Sequence, residues 1–106
     1  MTERNEVRIT ARLVGRTPLR FTPAGVPVAT ADLEHRSVVV EGDRERTLAF
    51  EMEAVAVGGV ANALVAEALG TEVEITGFLA PRSKRSKRLV LHIVGMVCSS
   101  GEKSAE

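Results

Sequence analysis

The 106-residue sequence has no tryptophan and no tyrosine, and three phenylalanines, Phe21, Phe50 and Phe78, make up its whole aromatic content. A core built on large rings is therefore excluded, and so is a rich aromatic platform for stacking bases. Cysteine is as scarce. Cys98 stands alone and cannot close an internal disulfide, which points to a reducing, cytoplasmic setting. Histidine occurs only at His35 and His92, and these make no metal-ligand spacing with Cys98. No phosphate-cradling loop is present, because Gly58-Gly59 precedes a helical pattern without a following Lys and Ser or Thr. No run approaches about 18 apolar residues, so no membrane-spanning helix is expected. The charged start MTERNEVR lacks the apolar stretch of a secretory leader. Together these absences argue for a non-enzymatic chain with no cofactor and no metal.

The formal net charge is zero, which by itself argues against a polyanion partner, but the charges are segregated. From Arg4 to Arg46 every basic residue is arginine. From Thr47 to Pro81 there is no Lys or Arg, only Glu51, Glu53, Glu67, Glu72 and Glu74. Arg82, Lys84, Arg85, Lys87 and Arg88 then bring five positive charges into seven positions. Local potential, and not the sum, steers a polyanion.

Periodicity gives one domain over residues 1–98, opened by a short polar arm at residues 1–5, with a flexible C-terminal tail over residues 99–106. Val7, Ile9, Ala11 and Leu13 alternate with Arg8, Thr10 and Arg12, the period-two signature of a half-buried strand. RTPLRFTPAG, residues 16–25, holds two prolines and a glycine and reads as a loop. Val26 to Val40 is extended, and Glu41-Gly42-Asp43 marks a hairpin turn into a third strand, Thr47 to Val57. In that strand Leu48, Phe50, Met52 and Ala54 form one face, which places Phe50 in the core. Val60 to Leu69 has helical spacing, with Gly70 as its C-terminal cap. Glu72 to Leu79 and Leu89 to Val97 are the last strands. The order β-β-β-α-β-β is that of an all-β, five-stranded OB-fold Greek-key barrel with one short helix between strands three and four.

In such a barrel the first-to-second and fourth-to-fifth strand loops flank the ligand face. The first loop carries Arg16, Arg20 and Phe21, and the second is the basic run itself. This points to single-stranded nucleic acid, held chiefly by Arg82, Lys84, Arg85, Lys87 and Arg88. Phe21 is the one plausible stacking platform, so binding rests on phosphate contacts and is salt-dependent. The carboxylate pairs Glu51/Glu53 and Glu72/Glu74 read as solvated strand faces. Two alternatives stand beside this reading: a protein-interaction scaffold whose basic loop docks an acidic partner, and a general single-stranded DNA or RNA binder.

The strings RTPLR, TPAGVP and EHRS (Glu34 to Ser37), with Gly77-Phe78 and LVLH from Leu89 to His92, resemble the bacterial primosomal replication protein N family, which is similar to single-stranded DNA-binding protein. The resemblance spans nearly the whole chain. It implies a homodimer of OB-folds that binds single-stranded DNA in replication restart. It also implies two partners: the primosomal helicase (primosomal protein N′), which it stimulates, and a helicase-loading primosome protein. The family's basic DNA contacts fall on Arg36, Arg82, Lys84 and Arg88. Phe21 stands where a basic residue is expected, and no tryptophan occurs near Ala49. The ending GEKSAE lacks the acidic tail and apolar dipeptide of single-stranded DNA-binding protein itself.

Overall fold

Alternating apolar residues give six extended segments in the computed structural model, which describes residues 3–98. They are β1 (Val7–Arg16), β2 (Arg20–Phe21), β3 (Pro27–Glu41), β4 (Arg44–Val57), β5 (Glu72–Pro81) and β6 (Leu89–Cys98), with helix α1 (Gly59–Ala66) between β4 and β5. The sheet order is β1-β5-β6-β4-β3-β2, and a second pairing of β1 with β3 closes it. β2 is only a two-residue hook on the edge of β3, so the barrel proper has five strands and one helix: the OB-fold expected from the element order. The expected tail at residues 99–106 lies outside the described residues.

Small side chains form the middle of the core. Ala29 opposes Ala56 and Ala31 opposes Ala54 across β3 and β4, and all four are buried. Leu33 adds to β3, and Leu13, Val73, Ile75 and Leu91 fill the space from the other walls. Helix α1 buries Ala61 and Leu64 against this surface. Eight residues are too few for a helix to persist alone, so packing must hold it.

The helix ends earlier than its sequence spacing suggests. Its C-cap is Glu67, in extended backbone. Gly70 does take a left-handed conformation, at φ +91°, but it serves the turn into β5 and not the helix end. That turn carries the β1–β5 ladder one step past the Arg12–Glu72 pair: the Leu13 N–H donates to the Thr71 carbonyl at 2.9 Å, and the Leu13 carbonyl accepts from the Gly70 N–H at 2.6 Å. On its other edge, toward β3, β1 is bulged between Leu13 and Gly15.

The strand lengths are unequal. β1, β5 and β6 have 10 residues each, whereas β3 has 15 and β4 has 14. β4 meets β6 only from Ala54 to Ala56, and β3 meets β1 only from Ala31 to Glu34. The two long strands stay paired to their tips, where Gly42 and Asp43, both at positive φ, make the two-residue turn. The distal half of this hairpin therefore leaves the barrel as an arm. Phe50 lies on it and is 42% exposed. The expectation that Phe50 is core fails because no opposing wall reaches that far.

The N-terminal arm is pinned: the Asn5 side chain donates to the Leu79 carbonyl at 2.8 Å and accepts from the Leu79 N–H at 3.0 Å. At the other side of the sheet, Gly77 sits in a bulge of the β5–β6 pair. A Cβ there would overlap the backbone carbonyl of His92. Gly77→Ala should thus destabilise the fold by about 1–3 kcal/mol, the usual cost of overpacking. A lower urea midpoint at unchanged slope is the expected readout.

Candidate nucleic-acid interface

The basic loop is short and its ends are held together. The Arg82 N–H donates to the Arg88 carbonyl at 2.8 Å, closing the neck. Inside it the Ser86 N–H donates to the Ser83 carbonyl at 3.2 Å, and the Ser86 hydroxyl accepts from the Arg88 N–H at 2.9 Å. The serines thus shape the turn while Arg82, Lys84, Arg85, Lys87 and Arg88 all face solvent. β6 runs parallel to β4, with Leu91 beside Ala54. Extending that register backward sends the loop preceding Leu89 in the same direction as the hairpin arm, along the edge of β4 that β6 leaves uncovered.

Arg36 lies on the arm, opposite Ala49 and exposed on the outer face. Arg44 and Arg46 lie farther out, and Arg46 pairs with Glu41. On the arm's inner face the ring of Phe50 lies 5.1 Å from that of His35, tilted by 34°. His35 fastens the root of the arm. Its Nδ1 is 2.7 Å from the Thr10 carbonyl of β1, and its Nε2 is 2.8 Å from the Ser37 hydroxyl. A carbonyl only accepts, so this network assigns the proton to Nδ1 and has Nε2 accept from Ser37.

The first loop occupies the opposite end of the same surface. Arg20 pairs with Val28 and Phe21 with Pro27, and Val28 opposes Val57 at the inner end of β4. From Val28 to Arg36 is eight residues of β3, about 27 Å of strand. Phe21 is 62% exposed. Arg16 is directed elsewhere: its guanidinium donates to the Glu67 carbonyl at 2.6 Å, at the C-terminal end of α1. The basic loop and the hairpin arm project from one end of the β3–β4 ladder, with Arg36 on the arm's outer face and Phe50 on its inner face, and Arg20 and Phe21 lie at the other end.

Between the rims, rows of outward residues run Thr30–Val55, Asp32–Glu53, Glu34–Glu51 and Arg36–Ala49. Two successive rows are carboxylate against carboxylate. Arg12 reaches Glu34 at 3.9 Å and Arg82 reaches Glu53 at 3.7 Å. The pairing Glu51/Glu53 was visible in the sequence as a solvated face. That it meets Asp32 and Glu34 was not, because the register between β3 and β4 decides it. Among the described residues no set of His, Cys, Asp or Glu side chains is arranged to hold a metal ion.

A second aromatic feature has no signature in the sequence. Phe78 and His92 oppose each other across β5 and β6 and stack at 5.0 Å and 8°. They line an outer groove of about 330 Å³ with Val55, Val57 and Val94. Sequence proximity offers no signal for it, since the pair is made by the bulged register. Among the described residues no helix is long and apolar enough to cross a membrane.

Comparison with known proteins places this geometry. Residues 5–95 match a family model described as another single-strand binding protein family. The chain is 38% identical over 90 residues to replication restart protein PriB of Nitrosomonas europaea, covering 85% of this chain and 83% of that protein. It is 39% identical over 89 residues to PriB of Bordetella pertussis, covering 84% and 83%. The structure of PriB from Ralstonia solanacearum superposes with a TM-score of 0.82 at 35% identity, covering 91% of this chain and 98% of that one. Single-stranded DNA binding protein from Thermus aquaticus, at 17% identity, shares the fold with a TM-score of 0.71, covering 89% of this chain and 49% of that one.

The hydrogen bond from Arg16 to the end of α1 has a consequence for stability. Arg16→Ala should lower it by about 1 kcal/mol through loss of a charged donor at a helix C-terminus, read as a shift of the thermal midpoint.

Proposed function

We propose that this chain, which belongs to the PriB family of single-strand binding proteins, grips single-stranded DNA at the rim where the basic loop and the hairpin arm project together. The observation that carries this reading is their shared direction: the five loop cations run toward the uncovered edge of β4, whose arm carries the half-exposed Phe50 on its inner face and, across the ladder on β3, Arg36 on its outer face. Cations hold phosphates without reading sequence, and an exposed ring offers one base a stacking surface. Arg20 and Phe21 form a second, separate rim, and Arg16 supports the fold beside it.

The role is that of a non-enzymatic adaptor in replication restart, working in the cytoplasm. It holds the exposed strand while the primosomal helicase, which it stimulates, is passed to a helicase-loading primosome protein. The acting form is a homodimer. Residues Val7 to Ala11 of β1 pair with β5 alone, which leaves a strand edge available to a second copy. Light scattering at micromolar concentration should give twice the chain mass of 11.3 kDa; a monomeric mass would remove the dimer from the reading.

Fluorescence titration of labelled oligo-dT tests the main claim. The triple variant Arg82→Ala, Lys84→Ala, Arg88→Ala should bind at least about tenfold more weakly at low salt. Its log K against log salt slope should flatten by about 0.7 for each phosphate no longer neutralised. Unchanged affinity would refute the site. If the wild type binds no oligonucleotide but still captures the helicase, the protein-interaction scaffold is the better account. Preference for structured RNA would favour the general binder.

A further inference from the structure

We infer that the carboxylate rows Asp32–Glu53 and Glu34–Glu51 keep nucleic acid off the outer face of the barrel, so that a strand held at the loop-and-arm rim stops short of the first-loop rim. This rests on the single-stranded DNA reading and specifies the path of the strand. In an OB-fold the outer face between these two loops is the usual ligand surface. Here a strand running from rim to rim would cross about 27 Å of β3, and the middle of that crossing is acidic.

The band is not neutralised in place. Glu34 and Glu53 have arginines at 3.9 and 3.7 Å, and their side chains remain 30% and 21% exposed. Asp32 and Glu51 have no cation at ion-pair distance among the described residues, and both are exposed. With Arg36 in the next outward row, three arginines border four carboxylates. The screening length at ordinary salt, about 10 Å, extends the repulsion over most of the gap between rims. Like-charge juxtaposition is an effective way to exclude a partner from a surface that its fold would otherwise offer.

Glu53 has a second effect. It lies 3.7 Å from Arg82, the first cation of the loop. A phosphate at Arg82 competes with that carboxylate, which lowers the gain from Arg82 relative to the other loop cations.

The experiment compares the full-length wild type, the variant Glu51→Gln/Glu53→Gln, and a control with equal charge change on other exposed sites, Glu6→Gln/Glu74→Gln. Each is titrated with oligo-dT at a series of salt concentrations, with and without Phe21→Ala. The band variant should bind roughly three- to tenfold tighter than the control at low salt. Its salt slope should steepen by about 0.7 for each added phosphate. Phe21→Ala should weaken the band variant more than it weakens the wild type, because in the band variant the strand reaches the far rim. The inference is overturned if the band variant gains no more than the control, or if Phe21→Ala already weakens the wild type to the same degree. Wild-type binding without the gain defeats this inference alone. Failure of all three proteins to bind defeats the single-stranded DNA reading and this inference with it.

Discussion

β3 and β4 stay paired over all fourteen residues of β4, while the strands that must close around them are ten residues long. A barrel can close only where every wall is present. The rest of the ladder has no interior to face, and it leaves as an arm whose inner side chains are half wet. Phe50 is exposed for that reason, and His35 reaches across to Thr10 to fix the angle at which the arm departs. The same shortfall leaves an edge of β4 uncovered beyond Ala54, and the basic loop runs beside it. The rim assigned to DNA is a consequence of strand length before it is a matter of charge.

Inside the closed part, aromatic scarcity becomes a packing solution. Alanines opposed in register on the two central strands leave room for a helix, and Leu64 and Ala61 enter from it. With aliphatic side chains filling the barrel, all three phenylalanines are left on the surface, at 62%, 42% and 39% exposure. A composition poor in rings thus places none of them in the core, which turns a sparse resource into a surface one.

Much of this was legible in the sequence. Alternation located three of the long strands and the β-branched run Val38–Val40 a fourth, Glu41-Gly42-Asp43 located the hairpin, and the basic run located the loop. What was not legible depends on comparing elements with one another. Phe50 alternates with Met52 and Ala54 as a core residue should, and only the shorter length of the other strands reveals that no core is there. Gly70 has the look of a helix cap because its partner, the Leu13 carbonyl at the end of the β1–β5 ladder, lies on a distant strand. The bond of Arg16 to the Glu67 carbonyl was not legible either, because that partner lies about fifty residues away in sequence. The cause is common: local pattern reports which face a residue takes, while register and length decide what that face meets.

Cross-strand rows of like charge cost stability, by a few tenths to about 1 kcal/mol each, yet two such rows lie side by side here. Their two ion pairs offset part of that cost, and both come from outside the hairpin: Arg12 from β1 and Arg82 from the basic loop. The carboxylates thereby tie the face to two other elements while repelling a phosphate chain. The basic loop lies beside this acidic face, so a local gradient stands between them although the net charge of the chain is zero. A polyanion approaching this surface meets a gradient and not an average. That gradient directs it to the loop and the arm.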